Sequence, residues 1–502
     1  MKVLFVYPDF HVNKRPNGTV SYEPAGWYNE GLASLSAVLR ARGHETALYH
    51  LLLPPTKAEF QAELRRQNPG LVAFALRSEV FRTGAGEAVW AKELGYTTIA
   101  GSYHPTLNPE ESIASPGIDI VCLGEGEAPL AELCDRLDSG RDSYDIPSLW
   151  LKRGDEIVRN PVGPVVENLD DLPIPDFSLF DFAKLMSSQT YTALVSFTRG
   201  CPYNCTYCCN HEIHSIYPNR KAWLRSRSPG NVVDYIRKLR QFYPEGRYLR
   251  VMDDIFHWRE EWLAEFVPLY RAEFDMPLAV NHRPNLFSEN MARLLREAGC
   301  YQVYFGLESG NEFIRKQVLH RHMTNEQIKI AFANARKAGM ITASYNMVGL
   351  PYENMERALD TIKLNAQIGV NRILNPIFCP YPNTDLYDTA VKEGFCSPKV
   401  DYEDNVVCTM PDFGEKEINF VCANFKLFVK FYKIAYRLPA FPRKNLEKLI
   451  DRLFLSPRLP YEALTRLAYA RQDQSSRIKD LLRRRTPGIF IFIRDRLVGN
   501  RL

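Results

Sequence analysis

Short apolar runs alternate with amphipathic stretches twice along this chain, and that alternation restricts the fold more than any other feature. In the first 140 residues, strand-like runs fall at 2–7, 45–51, 71–76, 97–101 and 119–123, with helical periodicity between them, as over residues 29–42. Five βα units of this size predict an α/β architecture: a flavodoxin-like, doubly wound parallel sheet that takes ligands at the carboxyl ends of its strands. The polar stretch "ENLDDLPIPDF", residues 167–177, has four acidic residues and two prolines and reads as a linker.

The alternation then restarts with longer units. Strands are expected at 193–198, 248–253, 278–282, 302–307, 342–348 and 372–378. Helices fit between them at 229–242, 259–273, 288–298, 325–338 and 355–368. Six such units predict a partial (β/α)6 barrel, with its chemistry at the C-terminal ends of the strands. From about residue 415 the chain turns helical and basic, with 16 Lys or Arg against 6 Asp or Glu over residues 437–502. The simplest reading of that stretch is a solvated or docking helix face. The expected organisation is therefore a doubly wound domain over 1–145, a linker over 146–190, a partial barrel over 191–390 and a helical extension over 391–502.

Hydrophobic content of 45% with 24% charged residues suits a globular chain, and a net charge of +4 is too small to argue for nucleic acid. The opening "MKVLFVYP" reads as a first strand rather than a secretory segment. The apolar run 488–493 falls far short of the ~20 residues that span a bilayer. A cytoplasmic location without a membrane span is expected. In that reducing compartment, crowded cysteines serve metals or redox chemistry rather than disulfides.

"CPYNCTYCCN", residues 201–210, holds four of the eleven cysteines. Cys201, Cys205 and Cys208 can bind three corners of a [4Fe–4S] cube from one short loop, leaving the fourth iron for a non-protein ligand. A zinc site would need a fourth protein ligand, which Cys209 or His211 could supply. The spacing Cys201-x3-Cys205-x-Tyr207-Cys208 resembles the signature of the radical S-adenosylmethionine (radical SAM) superfamily. The resemblance implies that the open iron chelates SAM, which is cleaved reductively to a 5′-deoxyadenosyl radical that abstracts hydrogen from a C–H bond. It implies an aromatic neighbour for the adenine at Tyr207 and a one-electron donor such as a flavodoxin or ferredoxin. Cys209 is expected to be a packed free thiol.

Further candidates lie at predicted strand ends. Glu308 and Ser309 of "GLESGNE", and Asn346 and Gly349 of "NMVGLP", stand where related enzymes bind SAM. Asp253 and Asp254 of "MDDIF" face the presumed cavity as substrate or SAM contacts, with helix capping as the alternative. Arg283, beside Asn281, is a candidate for SAM or substrate. His211 and His214 read as loop residues, and Tyr217 as a hydrogen donor or substrate contact.

A second resemblance rests on "GSYHPTLNPEE", which includes His104, and "VCLGEGEAPLAEL", which includes Gly124 and Gly126. Both are similar to stretches of the cobalamin-binding domains fused to radical SAM barrels. The usual Asp-x-His-x-x-Gly motif is missing, and the loop after the third strand reads Ala75-Leu76-Arg77-Ser78-Glu79. Either Arg77 sits beneath the cobalt, or Arg77 and Glu79 pair and fill a pocket that no longer binds cobalamin. The altered loop and the carboxylates lead to one expectation: radical dehydration or deoxygenation of a polar, sugar- or aminoglycoside-like small molecule, the diol-dehydratase type of antibiotic biosynthesis. The alternative is a cobalamin-dependent radical C-methyltransferase.

Overall fold

The computed structural model describes residues 1–14, 20–217, 219, 222–398, 400, 402, 407–486 and 488. Three layers of architecture follow one another along the chain.

The first is a seven-stranded sheet. Its parallel strands are β1 (Lys2–Pro8), β4 (Glu45–Leu51), β5 (Leu71–Ala75), β6 (Thr98–Gly101) and β7 (Ile120–Cys122). A hairpin, β2 (Phe10–Lys14) with β3 (Val20–Pro24), rises from the end of β1. Helices α1 (Glu30–Ala41), α2 (Lys57–Gln67), α3 (Phe81–Lys92), α4 (Tyr103–Leu107), α5 (Pro109–Ala114) and α6 (Glu127–Asp138) connect the strands. The order β4-β1-β5-β6-β7 is the doubly wound one, with a topological switch between β1 and its two neighbours. β1 is buried on both faces, as its unbroken apolar run requires.

Residues 146–190, expected as a linker, are partly sheet. β8 (Leu149–Arg153) and β9 (Glu156–Arg159) extend the sheet antiparallel beyond β7. Their alternating burial pattern is short and interrupted by a turn, so it does not stand out from the polar sequence around it. The acidic, proline-bearing segment after them lies on α1, where Asp176 accepts from the Ser36 hydroxyl at 2.6 Å.

The second layer is a six-stranded parallel sheet in sequential order: β10 (Thr192–Val195), β13 (Tyr248–Val251), β14 (Leu278–His282), β15 (Cys300–Glu308), β16 (Ile341–Asn346) and β17 (Arg372–Leu374). These are the six strands the alternation predicts. A two-residue ladder, β11 (Thr198–Arg199) with β12 (Arg225–Ser226), brackets the cysteine loop. The helices here are α7 (Cys209–Ser215), α8 (Pro229–Phe242), α9 (Glu260–Glu273), α10 (Glu289–Glu297), α11 (Asn325–Lys337), α12 (Met355–Gln367) and α13 (Asp385–Lys392). One large core runs from the first sheet through the segment around Phe177–Leu185 into the barrel.

The third layer is helical: α14 (Glu415–Ala435), α15 (Ala440–Phe454) and α16 (Tyr461–Arg485). α14 buries Ile418, Val421, Phe425 and Phe428 against α12 and its neighbours, so this extension is part of the packed body. Among the described residues no helix is long and apolar enough to cross a membrane. The apolar run 488–493 lies outside the described residues apart from Gly488.

Candidate active site

The cysteine loop leaves the end of β10 and runs into α7, with Cys208 in the cap position and Cys209 opening the helix. Cys205 is buried, whereas Cys201, Cys208 and Cys209 are half-buried. Cys209, the first residue of α7, is a free thiol as expected from sequence, half-buried rather than enclosed in the core. Burial pushes the Cys201 thiol up to about 12, so ligation rather than solvent pH must draw off its proton.

Hydrogen-bond donors converge on these sulfurs. The guanidinium groups of Arg283 and Arg321 each approach Cys205 Sγ to 3.6 Å, and the Asn210 amide approaches Cys208 Sγ at 3.8 Å. Such donors suit thiolate and sulfide anions better than neutral thiols. Among the described residues, the one group of three metal-type ligands with donor atoms within 4.8 Å of one another is His211, Glu212 and Asp385. The three cysteines do not form such a group. A single zinc ion would draw its ligand atoms to roughly 4 Å apart, closer than the three sulfurs stand here.

Around Cys205 the chain builds a buried charged cluster. Arg321 Nη1 donates to the Tyr207 hydroxyl at 3.0 Å, and its Nη2 lies 3.8 Å from Glu308. The Tyr207 hydroxyl in turn donates to Glu308, whose carboxyl is pushed up by burial against the pull of Arg321. Glu308 has φ of +63°, and the register of β15 against β16 slips beside it. A non-glycine residue held left-handed at a strand end stores strain that the surroundings must hold in place. Arg283 lies over the Tyr203 ring at 3.6 Å and donates to Asn285. Tyr207, Glu308 and Arg283, each named from the sequence as a SAM contact, lie together around Arg321 and Cys205. Arg321 and Tyr203 are additions: nothing in "LHRHMT" marks one cation above its neighbours.

Other expected SAM contacts serve the scaffold. The Asn346 amide donates to Ser344 and to the Leu374 carbonyl and accepts from Asn365 at 2.7 Å, which leaves it saturated. Ser309 accepts from the Asn311 amide and faces Thr361. Gly349, with φ of +83°, gives its N–H to Glu353 at 2.7 Å, and a Cβ there would meet Ile418 of α14 at 3.2 Å. Its freedom admits a helix of the C-terminal extension, not a ligand.

Asp253 and Asp254 differ sharply. Asp253 is buried and accepts from the Phe197 and Thr198 amides at 2.8 and 3.1 Å, pinning the start of the cysteine loop. It caps a loop and not a helix, since α9 begins only at Glu260. Burial pushes its carboxyl up to about 7, and its second oxygen has no protein partner. Asp254 is exposed and accepts from Asn210 at 2.9 Å.

Both aspartates line a cavity of about 410 Å³ that joins the two halves of the molecule. One wall is the first sheet beneath α1 and α6: Ala73, Ala75, Gly101, Cys122, Gly124 and Gly126. The other holds Gly200, Asn210, Tyr217 and Trp223 from around the cysteine loop. Small residues along the sheet leave a slot that larger side chains would fill. Trp223 Nε1 and the free oxygen of Asp253 are buried in the wall without protein partners. A slot lined by small residues and ending in unsatisfied polar atoms leaves room and hydrogen-bonding capacity for part of a ligand between the two halves.

The halves are fastened around this cavity. Arg225 grips Glu125 with both Nη atoms at 3.0 and 2.8 Å, and Arg199 reaches Glu127 at 2.5 Å. Burial alone would raise the Glu127 carboxyl, but Arg199 outweighs it and holds the group low. The Tyr217 hydroxyl accepts from the Glu125 amide at 2.7 Å and lies 2.0 Å from where a Cβ on Gly124 would stand. Tyr217 is thus a docking residue. The glutamates of "GEGE" fasten the domains, a role its glycines do not advertise.

His104 and Arg77 are not among the cavity residues. His104 stacks on Phe81 at 3.8 Å and meets Ser78 and Glu111. Arg77 lies 3.7 Å from the buried Asp9, while Glu79 accepts from the Tyr381 hydroxyl of the barrel side. The contacts made by this loop are thus Arg77 with Asp9 and Glu79 with Tyr381, not Arg77 with Glu79. His211 lies 3.7 Å from Asp385, and His214 stacks on Trp223.

Comparison with known proteins agrees with this geometry. The chain is 28% identical over 400 residues to an uncharacterized methyltransferase of Pyrococcus horikoshii, covering 78% of this chain and 83% of the other. It is 24% identical to an anaerobic magnesium-protoporphyrin IX monomethyl ester cyclase of Rubrivivax gelatinosus, over 77% and 69% of the two chains. The solved structure of the cobalamin-dependent S-adenosylmethionine radical enzyme OxsB, with aqua-cobalamin and S-adenosylmethionine bound, superposes with a TM-score of 0.67. That match has 15% identity and covers 96% of this chain and 75% of the other, a likeness of fold. A profile of the B12 binding domain matches residues 24–134, and one of the Radical SAM superfamily matches residues 195–364. With its three-cysteine loop, buried cation cluster and interdomain slot, the chain is a radical SAM enzyme, using a [4Fe–4S] cluster and S-adenosylmethionine, with a B12-binding domain set in front of its barrel.

Proposed function

We propose that this protein is a cobalamin-dependent radical SAM methyltransferase acting on a carbon of a small polar molecule. The observation that supports this most is the shared cavity: one space touches both the small-residue slot of the first sheet and the residues beside the cysteine loop. When bound, the cluster and SAM supply a 5′-deoxyadenosyl radical, and cobalamin supplies a methyl group.

The chain's residues hold the reactants. Arg283 and Arg321 offset negative charge at Cys205, and Asp253 fixes the loop's backbone. Asp254 and Asn210 present polar atoms to the cavity, where a hydroxyl- or amine-bearing substrate finds partners. Trp223 and Tyr217 close the apolar side and exclude water.

The dehydration reading drew on a loop thought to crowd the corrin. Arg77 lies 3.7 Å from Asp9, so the pairing with Glu79 that this reading invoked is not the contact made. The methyltransferase and cyclase names among the relatives also favour cobalamin chemistry over dehydration. The test is to reconstitute the protein with iron, sulfide and hydroxocobalamin, then add SAM and reductant. A retained cobalt absorption band, with S-adenosylhomocysteine and 5′-deoxyadenosine both formed in the presence of substrate, is expected. 5′-Deoxyadenosine alone from a cobalt-free protein would return the reading to dehydration.

A further inference from the structure

Two cysteines outside the cluster loop lie side by side behind the SAM site. Cys396 follows α13 and is half-buried; Cys408 precedes α14 and is fully buried. Both are free thiols, and Cys396 packs against the apolar cluster that contains Cys408. The backbone holds the two segments together next to them, with the Thr409 amide donating to the Phe395 carbonyl at 2.9 Å. A further thiol, Cys379, is exposed nearby.

The pair is linked to the active site through packing. Cys408 belongs to an apolar cluster with Leu319, Leu350 and Phe378, against which Tyr207 and Met347 pack. Tyr207 is the residue between two of the cluster-loop cysteines, and Thr206 beside it donates to the Val318 carbonyl at 2.6 Å. A displacement of Cys408 therefore reaches the cluster loop through close-packed side chains.

We propose that Cys396 and Cys408 form a reversible dithiol–disulfide site whose oxidation weakens SAM binding. The reaction partner is a small-molecule disulfide, RSSR. The Cys396 thiolate attacks one sulfur, forming Cys396–S–SR and releasing RS⁻. Cys408 then gives up its proton and displaces the second RS⁻, closing the Cys396–Cys408 bond. Two protein thiols are oxidised by two electrons, and one RSSR is reduced to two thiols.

The order of attack follows from the surroundings. Cys396 is the accessible sulfur, and its neighbour Cys408 lowers its pKa, which favours it as the attacking thiolate. Cys408 is buried, and its neighbour Cys396 and burial both favour its protonated form. Closing the bond shortens the sulfur–sulfur distance to about 2 Å and pulls Cys408 out of its packed position.

The test uses the anaerobic holoenzyme with its cluster reconstituted. It is treated with oxidised glutathione, quenched by alkylation and digested for mass spectrometry. A Cys396–Cys408 linked peptide is expected in the wild type. C408S is expected to stop at the glutathione adduct on Cys396, and C396S is expected to leave Cys408 unmodified. SAM affinity of the oxidised wild type should fall several-fold and return with dithiothreitol, while C396S treated alike keeps its affinity. Glutathionylation of Cys396 without pairing, pairing with Cys379 instead, or an equal loss of affinity in C396S would overturn the proposal.

Discussion

At the scale of single residues, the buried charges carry the sharpest consequences. Arg321 is the cation that offsets part of the burial cost of Glu308 beside a sulfur ligand. Removing one partner of a buried pair strands the other at a cost of about 3 kcal/mol. Arg321→Met is therefore expected to lower unfolding stability by about that amount in urea titration, and to weaken SAM binding more than tenfold. Adding Glu308→Gln should restore most of the stability but none of the binding. A double variant that binds SAM normally would place both residues outside the site. Glu87 offers a different check. Both its oxygens are buried without partners, and burial pushes its carboxyl from 4.5 up to about 8. The unfolded chain loses this proton near pH 4.5 while the folded one keeps it to about pH 8. Stability should thus fall as pH rises through that window, by up to about 1.4 kcal/mol per pH unit, and level off above it. Glu87→Gln is expected to flatten this slope, read as the difference between the two proteins' thermal midpoints from pH 5 to 9.

At the scale of elements, the loop after β7 joins two functions in four residues. Gly124 has φ of +70° and no room for a side chain beside Tyr217. Gly124→Ala should cost at least ~2 kcal/mol, from left-handed strain and the clash together. Tyr217→Ala in the same chain should recover the clash but not the strain, a partial rescue visible in denaturant midpoints. The repeated strand–helix alternation made both sheets legible before any coordinates, because period and length there leave few alternatives. Hairpins β2–β3 and β8–β9 escaped notice because short two-stranded units carry too few residues to show a period against polar neighbours. The cysteine loop and Tyr207 were legible from spacing together with the resemblance to the radical SAM signature. Glu308 and Arg283 were legible from their places at strand ends, and they lie beside Cys205. Asn346, Ser309 and Gly349 occupy similar places but make scaffold contacts, because position at a strand end does not say which way a side chain turns.

At the scale of the whole molecule, the two halves are joined by ionic contacts lying beside the cavity rather than by a flexible tether alone. Arg225 is 5% exposed, and its buried guanidinium is paired with Glu125. Glu125→Gln should lower the thermal midpoint and speed proteolytic cutting within residues 160–190, while the cluster's absorbance persists. Unchanged cutting would mean that the core around Phe177 and Tyr235 fastens the halves unaided. The fastening also bears on how the protein acquires a bulky ligand. The Arg199 and Arg225 ion pairs and the Tyr217 contact stand at the rim of the slot, so a ligand seated there can leave only by breaking several charged contacts together. Exchange should therefore be slow compared with turnover. A corrinoid in this protein would behave as a resident prosthetic group, acquired during assembly and retained through many cycles, while SAM and substrate come and go.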